Sequence, residues 1–261
     1  MTDTILSSRD GAVLTLTINR PDALNALNPP TMQALRAGIE AAGRDSAIGA
    51  VILTGAGRAF CAGADLKDVS ARLDAGDTDV GRDLRENYVP LTRAIRSCPK
   101  LVIAALNGIA AGAGLSLALA CDLRIAAAGA QLIVAFVRVG LVPDAGSLFF
   151  LTRMLGLSKA TELALTGDPL PVEEARQLGL IAAVVPGDQL MTTVMERARR
   201  LADGPRQTHT LIKRGMERAM DLDLDQVMEL ESHLQTLAAR TPDTQEAIRA
   251  FIEKRKPSFR G

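Results

Sequence analysis

The sequence predicts an α/β fold, and three observations carry that expectation. Apolar runs of strand length, at residues 50–54 and from residue 101, are followed within a few positions by segments of helical period. The links between them, Gly55-Ala-Gly57 and Gly112-Ala-Gly114, are loops of small residues. Beyond Pro186 the apolar residues keep only the helical period, so a strand-bearing region, 1–185, precedes a helical region, 186–261. These read as one fold with a helical extension or as two domains.

In chain order, residues 5–9 and 13–19 read as strands joined by the Asp10-Gly11 turn. Asn28 is placed to cap a helix opened by Pro29 or Pro30, with Met32, Leu35, Ile39 and Ala42 on one face. The strand at 50–54 then follows a helix, which suggests a parallel crossover. Residues 65–73 read as a helix, and the polar tract 74–80 as a mobile loop. A helix over 81–98 should be interrupted near Tyr88-Val89-Pro90. The strand begun at Leu101 breaks at Asn107-Gly108 and gives way, past Gly112-Ala-Gly114, to an apolar helix reaching Cys121. Strands follow at 122–127 and 131–134, helices at 148–155, 159–166 and 172–178, and a last strand at 181–185. The helical region should break at Gly204-Pro205, near Asp221 and at Thr241-Pro242.

Composition limits the function. Thirty basic residues balance thirty acidic ones, and there are six Phe, one Tyr and no Trp, so neither a nucleic-acid partner nor a membrane surface is favoured. Cys61, Cys98 and Cys121 show no paired spacing, and the N-terminus lacks a signal-peptide pattern; both point to the cytoplasm. Residues 101–121 are long and uncharged enough to span a bilayer, but the Asn107-Gly108 break favours a buried strand and helix. No P-loop, complete dinucleotide fingerprint or zinc spacing is present, so no metal or cofactor is expected.

A strand, a small-residue loop and a helix N-terminus together present bare N–H groups, and the helix dipole favours negative charge there. Two such loops facing each other would make an oxyanion hole. That chemistry suits a thioester enolate, in which each aimed N–H contributes about 3 to 4 kcal/mol in the transition state. The same small residues serve equally to let strand and helix pack closely. A different class is also open: Ser116, Asp144 and His209 follow the serine, acid, histidine order of some hydrolases.

Four blocks, Asn19-Arg-Pro-Asp-Ala-Leu-Asn25, Leu53-Thr-Gly-Ala-Gly-Arg-Ala-Phe-Cys-Ala-Gly-Ala-Asp-Leu66, Asn107-Gly-Ile-Ala-Ala-Gly-Ala-Gly114 with Cys121-Asp122, and Gly140-Leu-Val-Pro-Asp-Ala-Gly146, resemble the enoyl-CoA hydratase/isomerase (crotonase) family. The resemblance runs over essentially the whole chain. It implies a crotonase-like spiral of ββα units with a C-terminal helical trimerisation region, acyl-CoA thioester substrates, coenzyme A only as part of the substrate, and a homotrimer or dimer of trimers. By matching position, Ala64 and Ala113 would give the oxyanion N–H groups. Ala62, Asp65, Leu66 and Lys67 would line the coenzyme A moiety, while Phe251 and Lys254 would close over it, from the same or a neighbouring subunit.

The sequence departs from the resembling hydratases at two places where they carry glutamate, which here hold Ser116 and Phe136. Hydration needs one group to activate water and another to manage the α proton, whereas one carboxylate suffices to move a double bond. Asp144 is the candidate. It reads either as a helix N-cap or as a base desolvated among Phe136, Val137, Leu141 and Val142. The resemblance is to the isomerase branch that acts on epoxidised phenylacetyl-CoA and on 3-enoyl-CoAs, where this aspartate is the acid/base and Phe136 would exclude water. The expectation is an enoyl-CoA isomerase of phenylacetate or fatty-acid breakdown. A hydratase of the same family and a Ser116-dependent thioester hydrolase are the alternatives.

Overall fold

The computed structural model describes residues 3–259, so the outermost two positions of the expected regions 1–185 and 186–261 lie outside the described residues. Ile5–Asp10 (β1) and Val13–Ile18 (β2) pair antiparallel around Gly11, whose φ of 57° suits the turn. Arg9, Asp10 and both serines of β1 face solvent, which keeps this edge strand from recruiting another. Asn28 caps Pro29–Arg44 (α1) by accepting from the Thr31 N–H, and Met32, Leu35, Ile39 and Ala42 are buried as expected. Ala50–Gly55 (β3) runs parallel to β2 and is buried along its whole length, the pattern of a strand covered on both faces.

From β3 onward the chain repeats a strand in one sheet, a short strand in a second sheet, and a helix. The first turn is β3, Ala59–Cys61 (β4) and Leu66–Asp74 (α2). Val80–Asp83 (α3) and Val89–Ser97 (α4) follow, joined by a five-residue π turn, Leu84–Tyr88, in which the Val89 N–H bonds the Leu84 carbonyl. This is the interruption expected near Pro90. The next turn is Leu101–Leu106 (β5), Ile109–Ala111 (β6) and Ala113–Ala120 (α5), and the next Leu123–Ala127 (β7), Gln131–Ile133 (β8) and Ser147–Thr166 (α6), with Gly156 at φ 74° kinking α6. Pro169–Pro171 (β9), Val172–Gln177 (α7) and Ala183–Val185 (β10) close the spiral. The larger sheet has the order β1-β2-β3-β5-β7-β10 and the smaller β4-β6-β8-β9. Strands β4, β6 and β9 were not expected, because three residues are too few for alternation to register.

Leu190–Ala202 (α8) lays Leu190, Val194, Ala198 and Ala202, spaced by four, on Val13, Ile52, Ile103 and Ile125 of the larger sheet. The first helix past residue 185 therefore packs on the strands. Arg206–Ala219 (α9), Leu224–Ala239 (α10) and Pro242–Ile252 (α11) follow, with breaks where the sequence placed them. Lys213 of α9 is buried and reaches Asp122 Oδ2 and the Ile95 carbonyl, each at 3.0 Å, tying the tail to the spiral. The 74–80 tract, expected as a loose loop, is laced by ion pairs: Asp77 meets Arg72 and Arg82, and Asp79 meets Arg85. Among the described residues no helix is long and apolar enough to cross a membrane.

Candidate active site

The two small-residue loops lie against each other. A Cβ on Gly114 would fall 2.2 Å from the Cys61 carbonyl oxygen, and one on Gly63 would fall 3.4 Å from the Ala113 nitrogen. The first approach is open only to glycine, and at Gly63 a Cβ is excluded by the 2.9 Å it would leave to the Ala111 carbonyl oxygen. Gly63 at φ 102° and Gly112 at φ 50° turn the backbone out of each short strand, β4 and β6. Asn25 and Asn107 hold the 55–59 segment from both sides. Asn25 donates to the carbonyls of Ala56 (2.9 Å) and Ala59 (2.7 Å), and Asn107 donates to those of Gly55 (2.9 Å) and Gly57 (2.8 Å). Both stood in the motifs without an assigned role.

Pairing along the loop that follows β4 exposes one amide. Leu27 N–H bonds the Gly63 carbonyl and Asp65 N–H bonds the Leu27 carbonyl, at 2.7 and 2.9 Å, a parallel bridge that skips the N–H of Ala64. Ala113 is the first residue of α5, so its N–H has no partner inside the helix. Among the described residues neither amide donates to a protein acceptor. The structure thus puts beside each other two free N–H groups, one carrying the positive end of a fully buried helix.

Asp65 does not point at a ligand. It caps α2 by accepting from the Lys67 N–H, and it pairs with Arg20 at 2.7 Å. Burial pushes its carboxyl up, but the Arg20 and Lys67 hydrogen bonds outweigh that and hold it below the usual range. Ala62 donates to the Leu24 carbonyl, while Leu66 and Lys67 are exposed at the start of α2.

Asp144 is not a cap. Gly146, at φ 94°, stands at the start of α6 and no side chain caps that helix. Asp144 Oδ1 is buried with no hydrogen-bond partner. Burial, and next to it the Asp83 carboxylate, push the Asp144 carboxyl up to about 6. The expected apolar surround is only partly present: Phe136 is buried, whereas Val142 is 75% exposed and Val137 and Leu141 lie at the surface.

The backbone around Asp144 is pinned from two helices. Ser116 Oγ of α5 donates to the Asp144 carbonyl at 3.0 Å, Ser147 N–H of α6 donates to the same oxygen at 2.8 Å, and the two serine hydroxyls share a 2.6 Å bond. Ser116 is completely buried and its neighbours hold no imidazole, and His209 packs instead against Gly204 at the α8–α9 corner. The serine, acid, histidine order is therefore not a triad. Ser116→Ala should lower kcat several-fold by loosening Asp144, and should change stability by about 1 kcal/mol. A steady-state assay that found all turnover lost would restore the nucleophile reading. Burial also pushes the Cys61 thiol up to about 12, so it stays neutral beside the loops.

Phe251 is 85% exposed and Lys254 is exposed past the end of α11, so within one chain neither closes over the loops. Tyr88, which the sequence marked as a helix interruption but not as a site residue, is buried at the end of the π turn and lines a cavity with Asp65. Its signal was the break before Pro90. Among the described residues no cluster of His, Cys, Asp and Glu has metal-holding geometry.

The sequence matches the family profile described as enoyl-CoA hydratase/isomerase over residues 8–261, and the chain belongs to that family of enzymes. Within it, the chain is 41% identical to 1,2-epoxyphenylacetyl-CoA isomerase of Escherichia coli K12 over 261 residues, covering 100% of both proteins. It is 34% identical to trans-2-decenoyl-[acyl-carrier-protein] isomerase of Streptococcus mutans, over 98% of each. The crystal structure of enoyl-CoA hydratase from Bacillus anthracis superposes with a TM-score of 0.93 at 32% identity, covering 99% of this chain and 100% of that one. The crotonase-like spiral is thus the fold of this protein.

Proposed function

We propose that the protein is an enoyl-CoA isomerase, which moves a double bond within an acyl-CoA thioester or converts a ring-fused epoxide to an oxepin. One observation carries the reading: among the described residues, Asp144 is the carboxylate with a buried, unpartnered oxygen, and the two places where resembling hydratases have glutamate hold a buried phenylalanine and a serine already committed to the backbone. The thioester oxygen sits between the N–H groups of Ala64 and Ala113. Asp144 takes the proton from C2, the charge spreads onto the thioester oxygen as an enolate, and the same carboxyl returns the proton to C4. Phe136 keeps out the water that hydration would need. The 41% identity to an epoxyphenylacetyl-CoA isomerase supports the ring substrate, and an aromatic or fatty-acid degradation sequence is its setting.

A homotrimer is part of this reading. Ile212 and Met216 of α9, Met220 just past its end and Met228 of α10 are exposed apolar side chains suited to a subunit contact, through which Phe251 and Lys254 would reach a neighbour's coenzyme A. Incubation with a 3-enoyl-CoA and a 2-enoyl-CoA separates the activities: migration in the first and no water addition to the second is the expected result, and fast hydration of the second would contradict it.

The reaction needs Asp144 ionised. Because its carboxyl is raised to about 6, kcat/KM for 3-enoyl-CoA should climb as pH rises through about 6 and level off above 7. A flat profile from pH 5 to 8 would mean another group takes the proton.

A further inference from the structure

The Ala64 amide is left free by a bridge one residue long, and a single side chain spans that bridge. Leu27 N–H bonds the Gly63 carbonyl and Asp65 N–H bonds the Leu27 carbonyl, so the chain at 26–27 runs beside the chain at 63–65. Arg20 reaches both runs. Its Nη1 donates to the Ala26 carbonyl on one, and its Nη2 meets the Asp65 carboxylate at 2.7 Å on the other. The two nitrogens belong to one planar group, so the guanidinium fixes how far apart the runs lie.

Arg20 is itself anchored. Its N–H donates to Asn25 Oδ1 at 3.0 Å, and its carbonyl accepts from the N–H groups of Ala23 at 3.0 Å and Asn25 at 2.8 Å. The turn closed in this way holds Leu24 at φ 50° and Asn25 at φ 59°, left-handed backbone that residues other than glycine keep only when their surroundings hold it. This turn sends Ala26 and Leu27 back alongside the 63–65 run. The side chains of Arg20 and Asp65 are only 21% and 11% exposed, so water competes little for the pair.

Resting on the Ala64–Ala113 oxyanion hole of the isomerase reading, we propose that Arg20 is a positioning residue for the reaction: its fork holds the Leu27–Ala64 bridge in register and thereby aims the Ala64 N–H at the thioester oxygen. The enolate oxygen carries more charge than the thioester oxygen it comes from, so a poorly aimed amide costs kcat more than KM. Lysine at position 20 would keep the charge beside Asp65 but offer one ammonium in place of two nitrogens, and so could not hold both runs. A role in folding alone would be largely met by that lysine.

The test compares parent, Arg20→Lys and Asp65→Asn on two probes. Turnover is read with trans-3-hexenoyl-CoA, and the infrared band of the bound thioester carbonyl with isotope-labelled hexanoyl-CoA, which has no double bond to move. Binding to the parent should lower the carbonyl band; both variants should lower it less, with kcat down about tenfold and KM within about twofold. Asparagine caps helices as aspartate does, so Asp65→Asn keeps the start of α2, loses only the ion pair, and gives the same reading should Arg20→Lys fail to fold. Variants whose band matches the parent's overturn the assignment of Arg20, and so does a loss confined to KM. A parent whose band does not move on binding removes the oxyanion hole and this inference with it. A parent that shifts the band but leaves hexenoyl-CoA unchanged ends the isomerase reading, and the band alone then decides for or against Arg20.

Discussion

Asp144→Asn should abolish double-bond migration while making the folded protein more stable. Removing the only proposed base is expected to lower kcat/KM about a thousand-fold, within the range that a positioned general base contributes. The stability effect follows from where the carboxyl titrates. Its folded value of about 6 lies above the usual 3.8, so between those two pH values the native state binds more protons than the unfolded chain. Stability therefore falls as pH rises through that window, and the penalty is complete above about pH 6. It amounts to roughly 2 kcal/mol, discounted because the group is not fully buried. Asn cannot ionise and escapes it. Denaturant unfolding at pH 8 and at pH 4 should show Asp144→Asn more stable than the parent at the higher pH, with the gain gone at the lower. A variant destabilised at pH 8 would mean that Asp144 has a structural partner in the native state.

Gly114→Ala should damage stability and turnover together. The new methyl would lie 2.2 Å from the Cys61 oxygen and 2.7 Å from its carbonyl carbon, both backbone atoms that no rotamer change can move aside. Overpacking of this kind costs about 3 kcal/mol, which in a chain of this size is a fall of roughly 6 to 12 °C in the melting midpoint. Relief by parting α5 from β4 pulls the Ala113 amide from the Ala64 amide, and a misplacement near 1 Å is worth about a hundred-fold in rate. Gly187→Ala is the matched control, since its methyl would meet nothing nearer than Ala127 Cβ at 4.0 Å. Calorimetry and a 3-enoyl-CoA assay on both variants check this; Gly114→Ala behaving like Gly187→Ala would show that the loops are not held so closely.

Much of this architecture was legible because local signals and tertiary demands agree. The Asn28-Pro29 start of α1, the Asp10-Gly11 hairpin and the three breaks of the tail each rest on residues whose own conformational preference decides the outcome. The second sheet was not legible, because β4, β6 and β9 exist through pairing with one another rather than through any pattern of three residues. Sequence marked Asp144 but left cap and base both open; the left-handed Ala145 and Gly146, which move the helix start past it, decide against the cap. Phe251 and Lys254 are exposed in the single chain, so their expected place over coenzyme A rests on the proposed trimer alone.

The most direct measurement is a crystal structure of Asp144→Asn with a 3-enoyl-CoA bound. The thioester oxygen should lie between about 2.7 and 3.1 Å from the nitrogens of both Ala64 and Ala113, with the residue 144 side chain beside C2 and C4 and no water against C3. A thioester oxygen turned away from those amides, or a residue 144 out of reach of both carbons, would contradict a one-carboxylate proton transfer at this site.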